Sequence, residues 1–441
     1  MSASPLVAKL TALQARVPRG MMLGLERVEH ALAALGSPHL GLRAVHIAGS
    51  NGKGSTAAMI EAIARAAGLR TGLYTSPHLC RFAERIRIGG HYIDDGSFER
   101  SLAAVLDHCR PDLTFFESLT VAAFHAFREA RVQLAIIEVG LGGRLDATNV
   151  IPAPLATAVT SISLEHTAIL GETIELIARE KAGILKPGAP VVLGPLAPEA
   201  DRAITEIAER IGAGPIYRVQ RDGVWEPGVI RVQRDGGVID LQGPGTDDRF
   251  HGRLGLSGRH QADNAGVALG LAHCLAQNHL LLDPRVAVDK GLRLAFWSGR
   301  YERIELNASQ VMVILDCAHN PEGARCLAEL FAAENPSGDP ARRALVFGAL
   351  ADKRWPDMLE SLAPLCGRRY YTEPKGRAPA ALAELSAAAP GAMVAEPNDA
   401  IARAIAESRP GDTILVTGSI YLVGEVLAYL LGIEADPMIA L

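Results

Sequence analysis

The sequence predicts an α/β protein with two sheets: a doubly wound, mostly parallel sheet and a smaller Rossmann-like α/β domain after it. Short β-branched runs alternate with longer helical stretches from residue 44 onward, which is typical of βαβ units. A glycine-rich turn lies between the first such run and the first helix. We expect one domain at about residues 1–295 and a second at about 296–441, because FWSGRYERI at 296–304 is typical of a hinge.

The elements of the first domain follow from the spacing of its apolar residues. Leu6, Leu10, Leu13 and Val17 recur at helical intervals, so the chain should begin with an amphipathic helix. A later helix rich in Ala, Ile and Glu is expected to end at Gly183. The predicted strands are 44–48, 73–75, 134–139, 156–162 and 191–193, and the first long helix is 55–67.

Residues 215–256 interrupt this alternation. They are rich in Gly, Asp and Arg and contain alternating segments such as GVIRVQ, which predicts a small antiparallel appendage of hairpins. Helical spacing returns at RHQADNAGVALGLAHCLA, residues 259–276. The second domain should then supply strands at 311–315, 344–347, 369–372 and 413–416.

Composition and charge exclude several functional classes. Apolar residues make up 49% of the chain, enough for a large core, and the net charge of -5 argues against nucleic-acid binding. The six cysteines form no CxxC pair, so free thiols in a reducing compartment are expected. Because apolar runs do not reach the roughly 20 residues of a membrane span, we expect a cytoplasmic protein, and a monomer.

The stretch HIAGSNGKGSTAAMI, residues 46–60, resembles a phosphate-binding loop with two departures. The residue four before Gly52 is Ala48 rather than a glycine, and Gly54 separates Lys53 from Ser55 and Thr56. The glycines still allow backbone N–H groups to converge on phosphate oxygens at a helix N-terminus. A tight turn with an exposed lysine is the simpler interpretation, but the position between strand and helix favours nucleotide binding.

Polar residues follow several of the predicted parallel strands, where ligands bind in open α/β sheets. Ser76 follows the second strand, Glu138 ends the third, and Glu165 and His166 follow the fourth. An acid inside an apolar strand is costly unless it is paired or bound to a metal. Hydroxyl, carboxylate and phosphate oxygens suit magnesium, whereas His166 is a less usual ligand and could be an ordinary polar loop residue.

Other candidate residues lie on the helix before Gly183 and in the second domain. Lys181 is on the apolar face of its helix, so it either extends to the surface or is buried and functional. Asp316 ends a strand, His319 precedes a helix, and Arg300 lies in the hinge. Two α/β domains with polar residues facing a shared cleft suit a reaction that joins a nucleotide to a second substrate.

The ordered motifs resemble those of the folylpolyglutamate synthase and dihydrofolate synthase family, bacterial bifunctional type. They include AGSNGKGS, YTSPHL, ERIRI, TFFESLT, EVGLGGRLDATN, EKAGILKPG, SGRYE, DCAHNP, FGALADK and VTGSIYLVGEV. This family is similar to the Mur ligases, with a phosphate-loop central domain and a C-terminal domain. The resemblance implies ATP-dependent addition of L-glutamate to dihydropteroate and to reduced folates through an acyl phosphate. It also implies ATP, one or two magnesium ions and carbamylated Lys181, and leaves a monovalent cation open.

The resemblance assigns roles to residues of this sequence. The catalytic set is Lys53, His166, Lys181 and Arg300. The nucleotide set is Asn51, Gly52, Lys53, Gly54, Ser55, Thr56, Asn264, Arg300, Asp316 and His319. The magnesium set is Ser76, Glu138 and His166. The pterin-binding set is Gly24, Leu25, Glu26, Arg27, Phe115, Phe116, Glu117, Ser118, Leu145, Asp146 and Ala147.

The sequence departs from the family pattern at three places, and several alternative functions remain. Cys317 replaces a glycine of the family, residues 257–258 differ from some relatives, and Ser118 stands where Phe is frequent, which bears on the pterin that fits. The alternatives are an enzyme with only one of the two activities, a kinase or simple ATPase, or a nucleotide switch. Only 48 residues precede Gly49, so we do not expect the sugar-nucleotide domain of a Mur ligase.

Overall fold

The computed structural model describes residues 5–14, 22, 24–109, 112–221, 228–235, 238–245, 249–334 and 339–436. Two sheets organise these ranges, one built from strands before residue 253 and one from strands after residue 301. The predicted fold class is therefore confirmed. The strands of the two sheets come from either side of the predicted hinge, while the domain boundary at residue 295 stays a prediction.

The larger sheet has eleven strands within the described ranges, in the order β11-β10-β9-β8-β7-β6-β1-β5-β2-β3-β4. Its strands are β1 Ala44–Ala48, β2 Thr71–Tyr74, β3 Ile86–Ile88, β4 His91–Tyr92, β5 Leu134–Glu138, β6 Ala156–Val159, β7 Val191–Leu193, β8 Ile216–Arg221, β9 Val229–Asp235, β10 Val238–Gln242 and β11 Arg249–Gly252. The pairs from β2 through β5, β1, β6, β7 and β8 to β9 are parallel. Pairs at the two ends are antiparallel.

Helices cover both faces of this sheet. They are α1 Pro5–Gln14, α2 Glu26–Ala34, α3 Lys53–Ala66, α4 Asp95–His108, α5 Phe115–Glu129, α6 Thr167–Leu170, α7 Ile174–Lys181, α8 Pro198–Ile211, α9 Arg259–Gln277 and α10 Pro284–Leu294. Short 3₁₀ helices lie at Phe82–Arg85, Ala147–Val150 and Ala182–Ile184.

Alternate residues of each central strand belong to different cores, since successive strand side chains point to opposite faces. In β5, Leu134 and Ile136 pack with α3 and α9, whereas Ala135 and Ile137 pack with α5. All four side chains are fully buried. This two-sided burial fixes the register of β5 and so fixes where Glu138 stands at its end.

The smaller sheet has the order β12-β13-β17-β14-β15-β16 and is parallel except for its first pair. Its strands are β12 Glu302–Leu306, β13 Val311–Leu315, β14 Arg343–Phe347, β15 Arg368–Tyr371, β16 Ala392–Met393 and β17 Thr413–Thr417. Its helices are α11 Pro321–Glu334, α12 Trp355–Leu362, α13 Leu382–Ala388, α14 Pro397–Ala406 and α15 Ile420–Leu431, with 3₁₀ helices at Pro340–Arg342 and Ala363–Leu365.

The structure differs from the sequence predictions in three details. The predicted appendage is antiparallel from β9 to β11, but it continues the large sheet, because β8 pairs in parallel with both β7 and β9. The helix expected to end at Gly183 is divided into α6 and α7 by Gly171, whose φ of 100° breaks the helix. The hairpin of β3 and β4 was not predicted, since its strands have only three and two residues.

The predicted N-terminal helix is present as α1, and its Leu6, Leu10 and Leu13 are buried. Val17 lies outside the described residues. Across the described ranges, no helix combines the length and apolar character that a bilayer crossing requires.

Candidate active site

The phosphate loop connects β1 to α3, and its geometry requires glycine at residue 52. Gly52 precedes the helix with a φ of 85°, a left-handed conformation that side-chain-bearing residues rarely adopt. A Cβ at this residue would also lie 2.2 Å from Asn264 Oδ1. The loop therefore keeps its backbone against α9, which supplies Asn264.

Lys53 is folded over the loop that precedes it. Its Nζ donates hydrogen bonds to the carbonyl oxygens of Gly49, at 2.8 Å, and Ser50, at 3.1 Å. The positive charge of Lys53 lowers the pKa of two carboxylates, Glu138 and Glu165. Lys53 thus lies near both Glu138 and Glu165, at the sheet edge where ligands bind in open α/β folds.

Glu138 is a buried carboxylate beside the phosphate loop. Burial raises its pKa to about 7, although Lys53, the Ser76 N–H and Arg300 act in the opposite direction. Glu138 Oε2 accepts a hydrogen bond from Ser76 N at 3.1 Å. A buried carboxylate and a neighbouring hydroxyl residue, both next to the phosphate loop, are the hard oxygen donors that suit magnesium.

His166 lies on the far side of this arrangement, next to Glu165. Its backbone is left-handed, with a φ of 47°, and its side chain is exposed. Partial desolvation of the ring by its neighbours lowers the pKa of His166, while Glu165 opposes that effect. Within the described ranges, no three His, Cys, Asp or Glu side chains are grouped as metal ligands. The role of His166 as a third magnesium ligand stays a prediction.

Lys181 is buried rather than extended to the surface, which excludes the first of the two alternatives considered from the sequence, while its functional role stays a prediction. Its Nζ donates to Glu165 Oε1 at 2.9 Å and to the Gly49 carbonyl at 3.0 Å. Burial lowers the pKa of Lys181 to about 8, although Glu165 raises it. Burial would raise the pKa of Glu165, but Lys53 and Lys181 together lower it to about 2. Both lysines therefore converge on one carbonyl of the phosphate loop.

The second domain contributes Arg300, Asp316 and His319. Asp316 accepts hydrogen bonds from Tyr301 N and Ala318 N, each at 2.9 Å, and its carboxylate thereby shapes the loop after β13. Burial raises the pKa of Asp316, while Arg300 lowers it. Arg300 also lowers the pKa of Glu138, so this guanidinium lies between the two domains.

The imidazole of His319 has a defined protonation state. Burial lowers its pKa to about 4, so the ring is neutral near pH 7. Its Nδ1 lies 2.9 Å from the Cys317 carbonyl oxygen. Because a carbonyl only accepts, Nδ1 must carry the proton and Nε2 is left as an acceptor.

The remaining predicted nucleotide residues form a polar network at the start of α3. Asn264 Nδ2 donates to Gln261 Oε1 at 2.9 Å, and Gln261 Nε2 donates to Ser55 Oγ at 3.3 Å. Thr56 Oγ1 is buried without a hydrogen-bond partner in the described part of the chain. Gln261 was not predicted from the sequence, although it lies one helical turn before Asn264.

Asn51 connects the phosphate loop directly to the second domain. Its Nδ2 donates to Glu322 Oε2 at 3.0 Å, and its Oδ1 accepts from Asn320 Nδ2 at 3.1 Å. Thr160 and Ser161, which follow β6, donate their hydroxyl groups to the Asn51 carbonyl. The cleft between the domains is therefore bridged at the loop itself.

An ion pair joins two segments of the predicted pterin-binding set, the one at Arg27 and the one at Glu117. Arg27 Nη2 donates to Glu117 Oε1 at 2.7 Å, and Glu117 Oε2 accepts from Thr114 N at 2.7 Å in the capping box of α5. Ser118 Oγ donates to the Thr114 carbonyl, which turns this side chain back onto its helix. The contact brings the region of Gly24, Leu25 and Glu26 to the start of α5.

The aromatic residues and the 145–147 segment lie nearby. Phe116 is half-buried against Gly140, where a Cβ would approach its ring to 2.5 Å, whereas Phe115 is fully buried. Asp146 accepts from Leu141 N at 2.8 Å and from Thr148 Oγ1 at 2.5 Å. Leu145 is half-buried and Ala147 is buried.

Arg85 is the strongest functional candidate that the sequence reasoning missed. Its guanidinium is fully buried, and Nε donates to His78 Nδ1 at 3.0 Å. Both Nη atoms are buried without a hydrogen-bond partner among the described residues. Its partner His78 lines the same cavity as Glu138 and Arg300, so Arg85 lies behind the wall of the cleft on the side of the first domain. The only signal in the sequence was the motif ERIRI.

Comparison with known proteins matches both parts of the chain to domains of the Mur ligases. Residues 47–272 match the Mur ligase middle domain, and residues 299–420 match the Mur ligase glutamate ligase domain. The dihydrofolate synthase/folylpolyglutamate synthase of Bacillus subtilis is 33% identical over 94% of this chain and 96% of its own length. The chain belongs to the folylpolyglutamate synthase and dihydrofolate synthase family.

Members of this family also include longer proteins. A probable bifunctional folylpolyglutamate synthase/dihydropteroate synthase of Haloferax volcanii is 35% identical over 91% of this chain. The match covers 48% of that relative, so the chain spans about half of its length.

Solved structures of the family have the same fold. E. coli FolC in complex with DHPP and ADP has a TM-score of 0.84 at 31% identity and covers 98% of both chains. A bifunctional folylpolyglutamate synthase/dihydrofolate synthase with Mn, AMPPNP and L-glutamate bound has a TM-score of 0.79 at 32% identity, covering 97% of this chain and 98% of that one.

Proposed function

We propose that this protein is an ATP-dependent ligase that attaches L-glutamate to dihydropteroate and to reduced folates. The observation that carries the proposal is the location of Arg300, which lines one cavity together with Ser76 and Glu138 of the first domain and Cys317 of the second. A cation shared by both domains, beside a phosphate loop, suits phosphoryl transfer to a substrate held in the cleft. Family membership supports the same chemistry.

In the first step, a carboxylate oxygen of the pterin substrate attacks the γ-phosphorus of ATP, and the bond to the leaving ADP oxygen breaks. Loop N–H groups and Lys53 bind the phosphates, since Lys53 has only backbone carbonyl partners to give up. Arg300 neutralises charge on the transferred group from the opposite side. The product is an acyl phosphate, which has a better leaving group than a carboxylate.

The described residues fit a magnesium ion beside the loop. Glu138 and Ser76 would hold it, with His166 as the further predicted ligand, because a buried carboxylate next to Lys53 can serve a cation without leaving its strand. When bound, the ion supplies charge neutralisation and orientation of the phosphates.

In the second step, the amine of L-glutamate attacks the acyl carbon, phosphate leaves, and the amine nitrogen loses a proton. We assign Arg85 to a carboxylate of this glutamate, because a guanidinium fork with two unpartnered buried nitrogens matches a carboxylate. In the first step the pterin carboxylate has already reacted with the γ-phosphate that Lys53 binds. Arg85 would therefore orient the second substrate rather than the first.

Carbamylation of Lys181 is part of the proposal. An uncharged amine is needed for the reaction with CO₂, and burial lowers the pKa of Lys181 to about 8, which makes that form accessible. The carbamate would stand next to Glu165, 2.9 Å from Nζ, so two anionic groups would share the site. Lys53 or a second magnesium ion would then be required to neutralise them.

Cellular location and assembly complete the proposal. We propose a cytoplasmic monomer, and the net charge of -5 argues against a nucleic-acid partner. A monovalent cation would bind to the phosphates and would take no part in the chemistry of the protein's side chains.

The decisive experiment measures phosphate release from MgATP and L-glutamate with dihydropteroate or a reduced folate as acceptor. Release with both, and products heavier by one glutamate, is the expected result. Release with one acceptor would establish a single activity. Protein that binds ATP but shows no acceptor-dependent release would contradict the ligase proposal and favour a nucleotide switch.

A further inference from the structure

The turn between the two domains places Trp297 directly against the phosphate loop. A Cβ at residue 54 would lie 3.0 Å from Trp297 Nε1 and 3.3 Å from its Cε2, so the indole rests on the backbone of Gly54. Gly54 follows Lys53 in the first turn of α3. The indole therefore contacts the element that carries the phosphate-binding lysine.

Trp297 is held from the side of the first domain by Arg87, a residue of β3. The Arg87 guanidinium carbon lies 4.3 Å from the centroid of the Trp297 ring and 4.7 Å from that of Tyr92. Arg87 Nη2 also donates to Tyr92 Oη at 3.2 Å. A cation between two aromatic rings gains from both quadrupoles, which fixes the orientation of the indole.

The same turn is fixed to the second domain a few residues later. Cys317 N donates to the Gly299 carbonyl at 2.9 Å, and Gly299 N donates to Glu302 Oε2 at 2.8 Å. Arg300 N donates to the Trp297 carbonyl at 3.3 Å. Arg300 thus projects from a tight turn that begins at Trp297, the residue whose indole lies on Gly54.

We propose that Trp297, held by Arg87, is a positioning residue that sets the separation between Arg300 and the phosphate loop. The inference rests on the proposed function, in which Lys53 and Arg300 act on one phosphoryl group. Trp297 contacts neither reacting atom. It acts as a spacer between two cations that come from different parts of the chain.

Single substitutions give the first test. Trp297→Ala and Arg87→Met should lower kcat by about 10- to 100-fold, because a displacement of roughly 1 Å costs this much. The KM for the pterin substrate should stay within about twofold, since its predicted site is elsewhere. Trp355→Phe, on α12 of the second domain, is the matched control. An unchanged kcat for Trp297→Ala in folded protein would overturn the proposal.

A double substitution separates positioning from general damage. Gly54→Ala should reduce kcat and weaken ATP binding because its new Cβ meets the indole, while Trp297→Phe removes the atoms that it meets. The double variant should therefore recover part of the loss caused by Gly54→Ala. Losses that simply multiply would overturn the proposal, since uncoupled sites are additive in free energy. If the wild-type enzyme released no phosphate in response to glutamate, that result would contradict the proposed function instead. The ATP affinities of the four proteins would then still test the coupling between residues 54 and 297.

Discussion

At the scale of single residues, Lys181 and Glu165 form a buried ion pair as long as Lys181 is not carbamylated. The pair lies beneath the phosphate loop, with the Lys181 side chain 3% exposed and the Glu165 side chain 19% exposed. Each charge makes the burial of the other tolerable. Removing one partner leaves an uncompensated charge, which is more costly than removing both.

We therefore expect Glu165→Gln and Lys181→Met each to lower the free energy of unfolding by about 1–3 kcal/mol. The double variant should be more stable than the sum of the single losses predicts. Denaturant unfolding of the four proteins measures the coupling. The exposed pair Arg179 and Glu175, on the same helix, is the control and should show little coupling. Additive losses at residues 165 and 181 would mean that the two charges do not stabilise each other.

Arg85 leads to a kinetic prediction. Arg85→Met should raise the KM for L-glutamate by about 30-fold or more, because a charge-assisted hydrogen-bond pair contributes roughly 2–3 kcal/mol. The KM values for ATP and for the pterin substrate should change little. Steady-state phosphate release with each substrate varied in turn distinguishes these effects.

Arg81→Met is the control for this prediction. Arg81 lies just before the same 3₁₀ helix, but it is partly exposed and pairs with Asp95 on the surface. A rise in the pterin KM rather than the glutamate KM would reassign Arg85 to the other substrate.

At the scale of elements, the phosphate loop agrees closely with the sequence prediction. The strand before it was predicted at 44–48 and is observed at Ala44–Ala48, because its β-branched run is bounded on both sides. The helix begins two residues earlier than expected, at Lys53, since the left-handed Gly52 precedes it. Loop residues Gly52 and Gly54 each face a specific neighbour, which a motif alone does not reveal.

Gly52→Ala should weaken ATP binding by at least about 10-fold, because a non-glycine residue in the left-handed region costs roughly 1–2 kcal/mol and its Cβ would meet Asn264. Calorimetric titration with MgATP measures the effect. Gly68→Ala is a matched control: its φ of 86° is nearly the same, but nothing lies within 4 Å of its Cβ. Equal weakening in the two variants would show that backbone strain alone is responsible.

Elements formed by distant pairing were not predictable. The hairpin of β3 and β4 is too short for a periodic signal, yet it supplies Arg87 and Tyr92 to the contact with Trp297. The parallel pairing of β8 with β7 and β9 likewise depends on neighbours along the sheet rather than on local alternation. Both features depend on which strands pair with each other in the folded sheet.

At the scale of the whole molecule, the two domains are joined across the active-site cleft by Asn51 and Glu322. The acidic side chain of Glu322 is exposed and accepts a hydrogen bond from the phosphate loop at 3.0 Å. It therefore places negative charge close to the predicted triphosphate. The contact stabilises the association of the domains but opposes the approach of an anion.

Glu322→Gln should lower the KM for ATP by about 2- to 5-fold, since it keeps a hydrogen-bond acceptor and removes one charge near the phosphates. Initial rates at varied ATP concentration and low salt provide the measurement. Glu329→Gln, an exposed change on the same helix, is the control. A higher KM for ATP would mean that the inter-domain contact outweighs the repulsion.

The fold class, the phosphate loop and the polar residues that follow the strands could all be predicted from the sequence, because they depend on local periodicity and on short motifs. Packing was needed to show that Lys181 is buried against Glu165, that Arg85 is buried behind the cleft wall with two nitrogens lacking a partner among the described residues, and that Trp297 lies on Gly54. These contacts join residues far apart in the chain. Their energies arise from burial and from long-range charge, which take effect only when the two sheets and their helices have packed together.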